Sequence, residues 1–137
     1  MYTPPSLRAA SAYKTVGAQS SVDGADAHQL IVLLFDGLLQ AVNAARGALS
    51  RGDVATKGTQ IQRAVRFLEE GLKGGLDDQR GGELARRLRA LYDYCIQRLT
   101  QGNARNDASA LAEVVALITP VADGWKDMGR QRKAQAA

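Results

Sequence analysis

Four stretches of this chain repeat apolar residues at intervals of three and four, and glycine- or aspartate-bearing breaks separate them. That pattern constrains the fold more than any other feature. A period near 3.6 places such residues on one face of a helix, and helices with one apolar face bury it against each other. Few β-branched alternations are present that could feed a strand.

The first stretch is expected to start at Asp26, where DAHQ offers an N-cap acceptor with Gln29 three residues on, and to stop at Gly52. Its core stripe is Leu30, Leu34, Leu38, Ala41, Val42, Ala45 and Leu49. The second runs from about Val54 to Gly71, with Ile61, Ala64, Val65, Leu68 and Leu72 on one face. The run GLKGGLDDQRGG then breaks the chain. The third, about Gly82 to Asn103, turns Leu84, Leu88, Leu91, Cys95 and Leu99 inward and sets Tyr92 at the core margin with its hydroxyl wet.

Asp107 is a plausible N-cap for the fourth stretch, which carries Leu111, Val114, Ile118, Val121, Ala122 and Trp125; Pro120 inside it predicts a kink near Ala116 to Thr119. Short connections favour antiparallel neighbours. The expected fold class is therefore all-α, an antiparallel up-down four-helix bundle with a flexible N-terminal arm over 1–24, the bundle over 25–130 and a basic tail over 131–137. Leu34, Leu38, Leu88, Leu91, Tyr92 and Trp125 are its expected structural core.

Composition narrows the function. A chain of 137 residues that is 45% hydrophobic can close one core without metal or disulfide. Cys95 is the only cysteine, so no intramolecular disulfide is possible, and a cytoplasmic setting is expected. The longest apolar run, Leu30 to Leu39, is interrupted by Asp36 and Gly37, and no membrane insertion is expected. His28 has no second histidine or cysteine beside it, Cys95 has no base at a helical neighbour position, and Asp77 and Asp78 lie in a turn. No catalytic residues, no metal ligands and no cofactor are therefore expected, and the chain does not read as an enzyme. The net charge of +4 permits an acidic partner, but 106–125 is acidic and no recognition motif is present, so nucleic acid is an unlikely partner.

The first stretch is more apolar than one buried face requires, because Val32, Phe35 and Leu39 form a second stripe. Either the other helices and the arm cover it, or it is held for a partner. Phe67 and Tyr94 are candidate partner-binding residues. Each lies off its core stripe beside small residues, Ala64 and Gly71 for the first and Ala90 for the second, and Tyr94 stands between Arg87 and Arg98.

The combination of Ala12-Tyr13-Lys14, DAHQLIVLLFDGLLQAV, Gly52-Asp53, GGELARRLRALYDY, Arg98-Leu99 and Trp125 resembles the FliS-type flagellar secretion chaperones across nearly everything from Tyr13 to Trp125. The resemblance implies a helical bundle that binds the disordered C-terminal segment of flagellin as helices in apolar grooves, with the export apparatus or regulatory proteins as further partners. It also implies that Tyr13 lies in an arm able to cover the binding surface. The competing expectation is a basic helical module for RNA or a flagellar regulatory protein. Phe35 and Cys95 stand where the family more often has tyrosine and methionine.

Overall fold

Apolar periodicity and aspartate caps account for the elements seen in the computed structural model, which describes residues 24–136. Helix α1 spans Gly24–Ser50, so it is already helical ahead of the cap expected at Asp26. Helix α2 spans Val54–Arg66 and passes directly into a π-helical stretch, Phe67–Lys73. Helices α3 and α4 span Asp78–Arg105 and Ala108–Ala136.

The chain turns in the same way at both connections of one end. Gly52 (φ 76°) and Asn106 (φ 52°) adopt left-handed conformations after α1 and α3, and an aspartate follows each. Asp53 accepts the Thr56 amide at 3.1 Å, and Asp107 accepts the Ser109 amide at 3.0 Å. These short turns reverse the chain tightly. The α2–α3 connection is looser: Asp77 accepts the Gln79 and Arg80 amides, one helical turn follows, and the helix then breaks at Gly82. With φ 53° and ψ −127°, Gly82 occupies a region that an L side chain rarely adopts, which explains the second glycine of GGELA. Arg89 ties the detached turn back by donating to both carboxylate oxygens of Asp78 at 3.0 Å.

Each helix packs on its neighbours in sequence, and α4 closes the ring on α1, leaving α1 across from α3 and α2 across from α4. The all-α up-down four-helix bundle is therefore the observed fold. The start of α1 and the finish of α4 share one end, here called proximal; the two tight turns form the distal end. Leu34, Phe35, Leu38, Val42, Ile61, Leu68, Tyr92, Cys95, Leu99, Leu111, Val114 and Ile118 fill the core. Leu88, Leu91 and Trp125 are half-buried and pack against it.

Two expectations need correction. Leu84, expected inward, is 63% exposed, two residues after the helix breaks at Gly82. Tyr92 sits deeper than the core margin, only 2% exposed, and burial raises its phenol pKa. α4 runs through Pro120 as one helix, as expected; Pro120 is on the exposed side, and the carbonyl it deprives belongs to exposed Ala116. The same helix continues through the expected basic tail to Ala136.

Phe35, from the supposed second stripe of α1, is fully buried, whereas Val32 and Leu39 stay half-buried. α1 and α4 are each long and apolar enough to cross a membrane by composition, but in α1 the apolar residues largely supply the bundle core.

Candidate partner-binding surface

Apolar side chains leave the core progressively along α3. Leu99 and Cys95 are fully buried, Leu91 and Leu88 half-buried, and Leu84 exposed. Spacings of three and four keep all five on one helix face, so the stripe runs from the core out into solvent at the proximal end. Leu33, 44% exposed near the start of α1, and Met128, 50% exposed near the finish of α4, lie towards the same end. Among the described residues, Val54 is the exposed large apolar side chain at the distal end, and Tyr94 lies on the flank.

Tyr13 lies outside the described residues. Phe67 is half-buried, with its ring on the α1–α2 seam: a Cβ at Gly37 would stand 2.5 Å from Phe67 Cζ. Gly37 thus admits the ring, and the Arg63 guanidinium lies 5.3 Å above it. Tyr94 is 41% exposed on the α3–α4 seam, and its hydroxyl donates to Glu113 Oε2 at 2.8 Å. Arg98 Nε donates to the other oxygen of the same carboxylate. These two hydrogen bonds, Tyr94 first, lower the Glu113 pKa, and the bond to Glu113 raises those of Tyr94 and Arg98. Phe67 and Tyr94 therefore lie on opposite seams and do not line one common groove.

Two polar arrangements were missed in the sequence. Lys57 is 2% exposed, and its Nζ donates to both the carbonyl oxygen and Oδ1 of Asn103 at 2.8 Å. It satisfies a carbonyl in the last turn of α3, at the negative end of the helix dipole. The signal was present: Lys57 extends the stripe Ile61, Ala64, Leu68 by one step of four.

The second arrangement is at the proximal end. His28 is 8% exposed, its ring lies 5.1 Å from that of Trp125, and its Nε2–H donates to the Trp125 carbonyl oxygen. A carbonyl can only accept, so this bond fixes the proton on Nε2. A cavity of about 440 Å³ opens beside the imidazole, lined by His28, Val32, Gly129 and the four cations Lys126, Arg130, Arg132 and Lys133. Among the described residues, no three histidine, cysteine or acidic side chains group as metal ligands.

Known proteins share this arrangement of sequence. The family described as Flagellar protein FliS matches residues 9–132. The flagellar secretion chaperone FliS of Salmonella typhimurium is 44% identical over 98% of each chain. FliS of Escherichia coli is 40% identical over 85% of each chain, and FliSB of Pseudomonas aeruginosa is 42% identical over 87% of this chain and 94% of that protein. With the family match running from the residues before α1 into the last turns of α4, this chain belongs to the FliS family of flagellar secretion chaperones.

Proposed function

We infer that the protein acts in the cytoplasm as a non-enzymatic export chaperone for flagellin. It binds flagellin's disordered C-terminal segment as helices, prevents premature polymerisation and aids type III export. The observation that carries this reading is the apolar stripe of α3 that runs from buried Leu99 out to exposed Leu84, with Leu33 of α1 and Met128 of α4 as further exposed apolar side chains towards the same end of the bundle. An amphipathic helix brings anchors every three or four residues and needs such a strip to receive them. Membership of a family whose named members are flagellar secretion chaperones supports the choice of partner. The chain preceding α1 enters at the same end, which supports the idea that Tyr13 belongs to a segment able to cover the strip.

Titration calorimetry with a matched flagellin C-terminal peptide tests the reading. Each ordered backbone residue opposes binding by roughly 1–2 kcal/mol, so the complex must bury a long apolar surface. Binding should show a large negative heat-capacity change with unfavourable entropy, and circular dichroism should show a gain of helix. Affinity should change little with salt, whereas a nucleic-acid module would lose it steeply. A peptide that does not bind, or that stays unstructured when bound, overturns the reading.

A further inference from the structure

We propose that the proximal half of α3, residues 83–92, is a flap: it tilts away from the bundle about polar pins in the distal half of the same helix and uncovers the inner apolar face of α3. The movement belongs to the free chain. Its use, admitting a partner helix to that face, rests on the chaperone reading.

The polar bonds of α3 change character at Asp93. From there on they reach other helices: Lys73 of the π-helical stretch meets Asp93 at 2.7 Å, Glu113 of α4 accepts from Tyr94 and Arg98, and Lys57 of α2 donates to Asn103 at 2.8 Å. Before Asp93, the side-chain bonds of α3 seen among the described residues stay inside the helix. Arg86 and Arg87 donate to Glu83 at 2.7 and 3.1 Å, and Arg89 donates to Asp78 at 3.0 Å. Pairs made along one helix move with it. Tilting the proximal half therefore leaves these pairs intact, whereas detaching the distal half would break the links to Lys57, Lys73 and Glu113.

Apolar contact is what holds the flap down, and it weakens with distance from the pins. Tyr92, next to Asp93, is 2% exposed, Leu91 and Leu88 are half-buried, and Leu84 is exposed. A tilt displaces each residue in proportion to its distance from the pivot, so the largest buried side chain moves least and the leucines that move most are already partly wet. Ala85 departs from the trend: it is 3% exposed, about 12 Å along the axis from Asp93 at 1.5 Å per residue. Its single methyl adds little apolar area to the cost of opening.

The flap is tethered at its proximal end, so the connection to the π-helical stretch must yield. It is built to do so, since the helix is already broken at Gly82 (φ 53°) and leaves the π-helical stretch through Gly74 and Gly75. The turn ahead of Gly82 travels with the flap, because Asp78 is held by Arg89. At the other two connections the chain turns tightly beside the capping carboxylates of Asp53 and Asp107, which leaves no comparable slack.

Thiol labelling of the full chain, without any partner, tests the flap. In a Cys95→Ala background, Ala85→Cys places a reporter beneath it, and Ala110→Cys, at a fully buried site of α4, reports opening of the whole bundle. If the first variant does not fold, Leu88→Cys, a truncation rather than an enlargement, takes its place. The reporter under the flap should react at least about tenfold faster than the one at 110, a difference of roughly 1.4 kcal/mol in opening. Amides of residues 88–92 should meanwhile stay protected from exchange, because the flap lifts as an intact helix. Glu113→Ala frees Tyr94 and Arg98 and should speed labelling under the flap roughly two- to fivefold, the effect of losing an exposed polar link. Equal labelling at the two sites overturns the proposal, since the flap would then open only with the bundle. So do amides at 88–92 that exchange as fast as the thiol reacts, which would mean unravelling from the end, and an unchanged rate in Glu113→Ala. With no flagellin present, failure here leaves the choice of partner standing, and failure of flagellin to bind leaves the flap standing.

Discussion

Glu113 accepts from Tyr94 and Arg98 at once, so its carboxylate fastens α3 to α4 on an exposed flank. Its pKa is held below the usual 4.5, first by Tyr94 and then by Arg98. A depressed carboxylate contributes stability that is fully present above its ordinary value and lost as pH falls through the lowered one. Tyr94→Phe should move the Glu113 midpoint up while leaving it below normal, because Arg98 remains; carbon-detected NMR titration reads this, and an unmoved midpoint rejects the pairing. Cys95 makes the opposite case. Burial pushes its thiol up to about 12, so almost no thiolate exists at neutral pH and the native protein should react with thiol reagents only as fast as it opens. Modification at the rate of a free cysteine would contradict that. The inward face of Cys95 was legible from its spacing. The Tyr94–Glu113 bond was not, because it depends on how two helices dock and no local pattern encodes that.

Gly37 and Phe67 show how elements are fitted together. LFDG reads in sequence as a tetrapeptide inside a helix, and its glycine costs helix propensity; in the fold that glycine is the space into which the Phe67 ring of the π-helical stretch projects. Gly37→Ala should therefore destabilise the bundle by about 1–3 kcal/mol through overpacking. Adding Phe67→Leu should recover part of the loss, and chemical denaturation of both variants checks it; equal losses would place the strain elsewhere. Existence and order of the helices were legible, since caps and apolar periods are local. The π-helical widening and the break at Gly82 were not. Pro120 needs only an exposed carbonyl to be tolerated, and exposure is settled by the whole bundle. Lys57 follows the same logic in reverse: a lysine on a core stripe reads as an error until Asn103 supplies its partners from another helix.

Across the whole molecule the two ends are built differently, and the difference yields a prediction about where the protein opens. The distal end has paired left-handed turns, the caps of Asp53 and Asp107, and the buried Lys57–Asn103 clamp. At the proximal end are the detached first turn of α3, exposed Leu33, Leu84 and Met128, and the last turns of α4, whose side chains are mostly exposed. Local opening is cheapest where few apolar contacts are buried. Amide hydrogen exchange should accordingly be fast over Asp78–Leu84 and beyond Met128, while amides from Leu38 to Ala45, Cys95 to Leu99 and Leu111 to Ile118 should exchange only through global unfolding. A bound helical partner that covers the proximal strip should slow the first group strongly and leave the distal turns unchanged, because their amides are already capped within the bundle. Uniform protection along all four helices on binding would instead mean that the partner stabilises the fold as a whole, and the strip from Leu99 to Leu84 would lose its claim to be where binding occurs.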